Sequence, residues 1–298
     1  MGSNDSDWCN YKQLVLSLHN DEECVRFLQE KGILHTNRVC KGGRDMKLRF
    51  RKNGNIYWIC QFVECIQYVG VRKDTWIYPS RLPLIDIILF IYGWCYEWTS
   101  IKWCERELNI SRKAVVDWNN YLREVCSLKL LHSSKKIGGD NTTVEIYESL
   151  FNPRKYNLGK TQSQQWVIGG ICRETKEVFL HLIPDRKKET VLPIVEECVL
   201  PGTKIYTDEH KAYEEIYKLG YDHHTVNHSQ NFVDPTIGAH TQIERWWRSS
   251  KERTKGQCRT RRDMLDSYMT EYLWRQSLHG KEPFAEILKD IATFYPPK

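Results

Sequence analysis

The order of apolar segments after residue 140 is the feature that most constrains this fold. Three runs rich in β-branched and aromatic residues come first: TVEIYESLF from Thr143, QWVIGGICRET from Gln165 and EVFLHLIP from Glu177. Such runs, separated by turns, are typical of strands. A helical stretch, KKETVLPIVEECV from Lys187, and the run KIYTD from Lys204 follow. Three strands, a helix and a strand that ends in an acid predict a mixed sheet with reactive groups at its strand ends.

A second pattern lies upstream, in HTNRVCKGGRDMKLRFRKNGNIYWICQFVEC. Alternating residues on both sides of an Asn-Gly turn predict a β-hairpin. Thiols near its ends give the layout of a zinc ribbon, which needs four ligands. Cys40, Cys60 and Cys65 supply three, Gly43 stands where the fourth is expected, and His35 is the candidate substitute. The alternative is a ribbon that has lost its metal and is held together by aromatic packing.

Two further segments have the composition of packing helices. Residues 11–31 have helical spacing and are expected to form one small helix. The run LPLIDIILFIYGWCYEW, from Leu82 to Trp98, is too short to span a membrane comfortably and contains two acids. We therefore expect a buried helix there and no membrane partner.

The stretch SIKWCERELNISRKAVVDWNNYLREVC has helix-turn-helix spacing. A break at Asn109 separates two apolar faces, and Ser111 is suited to cap the second helix. Arg112, Lys113 and Asn119 would then be placed to reach DNA. An ordinary helical hairpin without a ligand fits the same spacing.

Charge is distributed unevenly along the chain. The net charge is +6, with eight basic residues against one acid over 245–262 and seven against one over 38–52. These blocks are either solvated faces or phosphate contacts, and a polyanion is the partner they suggest. Within the first block, the candidate DNA-binding residues are Arg248, Lys251, Arg253 and Lys255.

Eleven scattered cysteines and no basic-then-apolar leader indicate reduced thiols and an intracellular protein. Asp208 follows the apolar residues of KIYTD, where a buried carboxylate requires a partner or a metal ion. Glu244 lies in the helical stretch GAHTQIERWWRSSKERTK, and Lys251 lies two turns further on the same face. Each of these features alone is weak, because a lone acid is usually a surface charge or a helix cap.

Together, the motifs resemble those of the Merlin-superfamily cut-and-paste transposases and their bacterial insertion-sequence relatives. The resemblance extends from about His35 to near the C-terminus. It is carried by TTVEIYESLF, RKYNLG, QQWVIGGICRET, PDRKKET, LPGTKIYTDEHKAY, TVNHSQNFVDPTIGAHTQIERWWRSSK and LDSYMTEYLWR. It implies an α/β fold: an RNase H-like mixed-sheet catalytic domain, preceded by a zinc-ribbon-like hairpin and a helix-turn-helix-like helical domain.

The resemblance also implies a triad of acids that holds magnesium or manganese. Asp208 matches the second acid, Glu244 the third, and Lys251 the associated DNA-contacting lysine. The first acid falls at Tyr147, where the family has aspartate. Two Mg²⁺ ions activate the nucleophile and stabilise the leaving oxygen in strand transfer. A phenol, with a pKa of about 10, is a poor ligand for Mg²⁺.

The resemblance therefore predicts a transposase-derived DNA-binding protein with impaired catalysis. One alternative is an active transposase that cleaves and joins DNA at terminal inverted repeats, with Glu145 or Glu148 replacing the missing acid. Another is a protein–protein scaffold without DNA binding. A homo-oligomer, and a nuclear location in a eukaryote, are further expectations. The expected divisions are an N-terminal helical segment, the ribbon, the helical DNA-binding region, the DDE domain and a C-terminal tail, at 1–34, 35–78, 79–135, 136–278 and 279–298.

Overall fold

A computed structural model describes residues 10–51, 54–132, 136–151, 165–225 and 265–298. The chain divides into two compact units. The first comprises Met1–Lys129 together with Gly280–Lys298, and the second comprises Leu130–His279. Within the described residues, no helix is both long and apolar enough to cross a membrane.

The first unit is mainly helical. Its helices are α1 to α5 and the last helix of the chain, α8: Tyr11–Ser17, Asp21–Glu30, Leu84–Cys95, Ile101–Glu107, Arg112–His132 and Pro283–Phe294. The last three residues of α5 belong to the second unit. Helix α3 is buried along nearly its whole length and packs against α2 and α8. Its apolar sequence thus forms the buried helix that was predicted.

The expected single helix over 11–31 is wrong, because the structure contains two helices there. Asn20 is extended, and its side chain accepts a hydrogen bond from the backbone N–H of Glu23. This hydrogen bond caps the N-terminus of α2. An asparagine satisfies the orphan amides of a first turn better than it continues a helix. The cap therefore divides the segment.

The first unit also contains a small antiparallel sheet. Its strands, β1 to β3, are Lys47–Phe50, Ile56–Ile59 and Tyr68–Gly70, in that order. The predicted hairpin is β1 and β2, and β3 extends it. Trp58, Met46 and Val69 are buried on one face with Cys40 and Cys60. The ribbon therefore has a small core of its own.

The second unit is built on a five-stranded mixed sheet. The strands are β5, β6, β7, β9 and β10: Thr143–Phe151, Gln165–Cys172, Val178–Ile183, Lys204–Thr207 and Asp222–Thr225. Their order in the sheet is β10-β9-β5-β6-β7. The pairs β5–β6 and β6–β7 are antiparallel, whereas β5–β9 and β9–β10 are parallel. The predicted mixed sheet is confirmed. A short parallel pair, β4 and β8, lies at Ile137–Gly138 and Val199–Leu200.

The two faces of this sheet have separate apolar clusters. Val144 and Ile146 of β5 belong to the larger cluster, which includes residues of helix α6 (Lys188–Cys198). On the other face, Val167 and Ile171 pack with Tyr272 of helix α7 (Leu265–Ser277). Alternation along each strand distributes the side chains between these clusters. The same alternation determines which face of β5 each of its polar residues occupies.

Candidate active site

Two carboxylates converge at the end of β9 on one arginine. The Arg186 guanidinium lies 3.1 Å from Glu148 Oε2 and 3.6 Å from Asp208 Oδ2. The Glu148 side chain is completely buried, while 23% of the Asp208 side chain is exposed. Arg186 also lies over the Trp166 ring, 4.7 Å from its centroid. A single cation is therefore shared by a fully buried acid and by the acid that the sequence assigned as the second of the triad.

Groups after β9 surround these carboxylates. Asp208 Oδ1 accepts a hydrogen bond from the backbone N–H of His210, which fixes the bend after the strand. The His210 ring lies beside Glu148, with 4.0 Å between Nδ1 and Oε1. That nitrogen accepts a hydrogen bond from the Ala212 N–H, which engages it with the backbone, and it lies further from Glu148 than Arg186 does. The Glu148 charge is therefore balanced by Arg186 rather than by His210.

A buried tyrosine completes the surroundings of Glu148. Burial, and then the negative charges of Glu148 and Asp208, raise the pKa of Tyr213 well above its ordinary value. Tyr213 Oη and Glu148 Oε1 are buried, and neither has a hydrogen-bond partner of good geometry. Buried polar atoms without a well-formed hydrogen bond are uncommon in native proteins, and an ion or a water is one ligand that would satisfy them. The orphaned oxygen of Glu148 and the carboxylate of Asp208 are hard donors that suit Mg²⁺, provided that Arg186 moves aside.

Tyr147 lies close to Asp208 along the sheet, but its ring packs into an apolar cluster. The parallel pairing of β5 with β9 matches Glu145 to Tyr206. If the same register continues for two residues, the Tyr147 backbone lies level with Asp208. Neighbouring strands are about 4.8 Å apart. The Tyr147 side chain, however, packs against the cluster that contains Tyr272. The site therefore has a tyrosine backbone beside Asp208, while the carboxylate of the next residue, Glu148, reaches Arg186.

Glu145, which the sequence suggests as a replacement acid, forms an ion pair with a different arginine. Arg173 Nε lies 2.6 Å from Glu145 Oε1, and both side chains are largely buried. The Arg173 guanidinium also lies 5.0 Å from the centroid of the Tyr206 ring. The two acids flanking Tyr147 are thus paired with different arginines on opposite faces of the sheet. Only Glu148 shares its arginine with Asp208.

Several predicted residues lie outside the described part of the chain. These are Glu244, Lys251, Arg248, Arg253 and Lys255. Sequence reasoning missed Arg186, His210 and Tyr213. One signal for Arg186 was available, because PDRKKET places it directly after β7. Alternation from Val144 and Ile146 to Glu148 could also have assigned this acid to the α6 face.

The two helices predicted for this stretch are present as α4 and α5. Asn109 has a φ of +50°, and the Ser111 hydroxyl accepts a hydrogen bond from the Ala114 N–H as α5 begins. Arg112 and Lys113 are exposed in the first turn of α5. The Asn119 side chain donates to the Val115 carbonyl and accepts from the Thr99 hydroxyl. Internal hydrogen bonds therefore hold the amide that was expected to reach DNA.

Three thiols form a candidate metal centre in the ribbon. The sulfur atoms of Cys40, Cys60 and Cys65 all lie within 4.8 Å of one another, and the residues are reduced. Zinc–sulfur bonds of about 2.3 Å place thiolates about 3.8 Å apart, so three sulfurs within 4.8 Å of one another could hold a zinc ion after small shifts. Hydrogen bonding to the Arg44 backbone lowers the pKa of Cys40 to about 7. Burial raises the pKa of Cys65.

The structure groups three of the four predicted ligands of this centre. His35 does not belong to the group of three thiols. Its carbonyl accepts a hydrogen bond from Gln29 Nε2 of α2, which holds this part of the chain against the helix. Burial and the nearby Arg38 lower the pKa of the His35 ring. Gly43, where a fourth ligand was expected, has a φ of +72°, which favours glycine.

The match of the second unit to a transposase family model supports a transposase-derived protein of the DDE class, and the mixed sheet with an acid at the end of β9 fits that class. More particularly, residues 136–277 match the family model described as an ISXO2-like transposase domain. The recognition of a DDE transposase relative is confirmed. The finer assignment to the Merlin superfamily stays a prediction.

The chain is also similar to individual proteins. The chain is 22% identical over 308 residues to "Male abnormal protein mab-31" of Caenorhabditis elegans, covering 91% of this chain and 67% of that protein. It is 26% identical over 115 residues to an "Uncharacterized transposase-like protein" of Haemophilus influenzae, covering 39% of this chain and 93% of that protein. The catalytic core domain of BIV integrase matches with 16% identity and a TM-score of 0.30, over 51% of this chain and 97% of that chain.

The contact between Arg186 and Glu148 predicts a large stability effect. We expect Arg186→Met to lower the free energy of unfolding by about 3 kcal/mol, because it leaves a buried carboxylate unpaired. The double variant Arg186→Met/Glu148→Leu should recover most of that loss, because it removes both charges. Urea denaturation at pH 7 measures both values. Arg26→Met, in an exposed ion pair, is the control and should change stability by less than about 0.5 kcal/mol. A single variant no less stable than this control would contradict the pairing.

The thiol cluster predicts zinc binding that does not depend on His35. After treatment with a chelator under reducing conditions, the full chain should take up one equivalent of zinc and melt at a higher temperature. Cys65→Ser should abolish the uptake, because it removes one of the three clustered thiolates. His35→Gln should retain it. Elemental analysis and thermal melting are the measurements, and equal zinc loss in the two variants would restore His35 as a ligand.

Proposed function

We propose that this chain is a transposase-derived DNA-binding protein whose strand-cleavage site is impaired. The observation that carries the proposal is the composition of the site beside Asp208. A tyrosine stands at the position expected for the first acid, and a guanidinium lies between the two carboxylates that are present. The transposase-like domain supports the origin of the protein, and the site supports the loss of cleavage.

The impairment follows from the ligands that phosphoryl transfer requires. Two Mg²⁺ ions supply this chemistry when they are bound by acidic oxygens. The neutral phenol of Tyr147 adds no anionic ligand, and its ring packs into an apolar cluster. The carboxylate of Glu148 is neutralised by Arg186. A guanidinium that contacts both acids also repels any metal cation approaching them.

One observation favours active cleavage as a second candidate. Glu148 and Asp208 converge on the same cation, and one Glu148 oxygen has no hydrogen bond of good geometry. If Mg²⁺ displaced Arg186, two hard carboxylates would remain to bind it. In that arrangement Glu148 would serve as the first acid, one residue after the position that the family pattern assigns.

DNA binding is supported by exposed cations in both the sequence and the structure. The net charge of the chain is +6. Arg112 and Lys113 project from the first turn of α5, where the helix N-terminus adds positive potential. Anionic phosphates are the complementary ligand. The proposed partner is therefore DNA, bound in the nucleus in a eukaryotic cell.

Cleavage assays distinguish the impaired protein from the active one. We expect no Mg²⁺-dependent nicking of supercoiled DNA by the unmodified chain. Tyr147→Asp should raise nicking by roughly tenfold or more, because each 1.4 kcal/mol of added charge stabilisation is worth a factor of ten. Tyr147→Asn is the matched control and should remain inactive, because it is similar in size but carries no charge.

Two outcomes would decide against impairment at Tyr147. Nicking by the unmodified chain that Glu148→Gln abolishes would establish the active candidate. An inactive Tyr147→Asp protein that is folded and binds DNA would show that a carboxylate at this position does not reach the metal site. Circular dichroism and thermal melting verify the folding of each variant.

DNA binding itself predicts a dependence on salt. Binding of a labelled duplex, followed by fluorescence anisotropy, should weaken linearly with log salt concentration. Arg112→Ala/Lys113→Ala should reduce the slope by about 1.8, because each duplex phosphate contact contributes about 0.9. Lys12→Ala/Arg81→Ala removes the same charge from exposed positions elsewhere and should leave the slope unchanged. An unmodified chain that binds no DNA at low salt would instead support the scaffold alternative.

A further inference from the structure

The small sheet of the first unit has one face that its own core does not use. Trp58 and Val69, with Leu48 beside them, pack inward around the thiols. Alternation then directs Lys47 and Arg49 of β1 to the outer face, with Tyr57 and Ile59 of β2 and Tyr68 of β3. We call these five residues the outer ribbon face.

The register of the strands places cations beside aromatic rings on this face. Ile59 of β2 pairs with both Lys47 and Tyr68, which makes one row. Tyr57 pairs with both Arg49 and Gly70, which makes the next row. A Cβ built on Gly70 would meet nothing within 4 Å, so the surface beside Tyr57 is open. The face thus has a basic edge and an aromatic centre.

The aromatic residues are held in position. The Tyr57 and Tyr68 rings contact each other, with centroids 5.3 Å apart. The Arg51 guanidinium lies 4.7 Å from the Tyr57 centroid, and its Nε donates to the Tyr57 hydroxyl. Tyr68 nevertheless keeps 51% of its surface exposed. The contacts already hold these two rings in position before a ligand arrives. Binding therefore costs less side-chain entropy than it would for mobile tyrosines.

The charge around this face is mainly positive. Arg49, Lys47 and Arg51 are exposed, and Lys41 and Arg44 precede the strand. The acids nearby in sequence, Asp45 and Glu64, lie outside the three strands. A polyanion with flat apolar surfaces would complement both the cations and the rings. Nucleic acid has this chemistry, and its bases are accessible to rings when the strand is unpaired.

We propose that the outer ribbon face binds an unpaired DNA strand. Bases stack on Tyr68 and Tyr57, while phosphates contact Lys47 and Arg49. This inference rests on the proposed DNA-binding function and adds to it a preference for single strands at this surface. Duplex bases are already stacked on one another, so a duplex offers only its phosphates to the same face.

The test compares single-stranded and duplex DNA of one sequence by fluorescence anisotropy. Tyr68→Ala should weaken single-strand binding by roughly 5-fold to 100-fold, which is the range for removal of one base–aromatic stack. Its duplex affinity should change less than twofold. Tyr68→Phe should bind normally, because it keeps the ring. Tyr78→Ala, at a tyrosine that is 58% exposed outside the sheet, is the matched control and should also bind normally.

A charge variant provides a second, independent measurement. Arg49→Ala should lower the salt slope for single-stranded DNA by about 0.7, the contribution of one phosphate contact. Arg81→Ala, another exposed arginine, should leave the slope unchanged. These substitutions lie on exposed side chains, so folding should persist, and thermal melting verifies that it does.

The outcomes separate this inference from the broader function. If the chain binds DNA but Tyr68→Ala and Arg49→Ala match their controls, the outer ribbon face is not the binding surface, and the proposed DNA-binding function stands. Equal losses on single-stranded and duplex DNA would also overturn the stacking role. If the unmodified chain binds no DNA of either form, both proposals fail.

Discussion

The parallel pairing of β5 with β9 is the constraint on which the candidate site depends. It brings the middle of the longest strand of the sheet, β5, level with the end of β9, where Asp208 begins the bend. The antiparallel pairing of β5 with β6 fixes the same strand from its other edge. Held on both sides, β5 cannot slip by one residue without exchanging its two faces. The positions of Tyr147 and Glu148 relative to Asp208 are therefore set by backbone hydrogen bonds.

This rigidity gives the substitution at Tyr147 its physical meaning. When a strand is held in register, each of its side chains is fixed on one face of the sheet. A carboxylate that is missing on one face is therefore not replaced by a small rotation of the strand. Glu148 contributes an acid from the opposite face, and the contact with Arg186 offsets the cost of burying its charge. The same contact that makes a buried acid tolerable also lowers its availability to a metal ion. Stability and metal binding therefore oppose each other at this residue.

Sequence patterns predicted most of the second unit and less of its site. The run TVEIYESLF became β5 with its bounds unchanged, because β-branched and aromatic residues fit a strand that is buried on both faces. Sequence analysis missed the asparagine cap that divides residues 11–31 and the third strand of the ribbon. A one-residue cap or a three-residue strand is a weaker signal than the hydrophobic periodicity of a longer segment. Arg186 could not be assigned to Glu148 from the sequence, since 37 intervening positions separate partners that only the sheet brings together. The internal hydrogen bonds of Asn119 were likewise determined by packing.

The last helix, α8, has a consequence for how the polypeptide acquires its structure during synthesis. Phe284, Ile287 and Ile291 are buried, and α8 packs against α3, which lies almost two hundred residues earlier. The second unit can fold as soon as it leaves the ribosome, because its sequence is continuous. The first unit cannot complete its core until translation has passed Phe294. A premature stop codon shortly before α8 would therefore harm the N-terminal helices, although their own codons are intact.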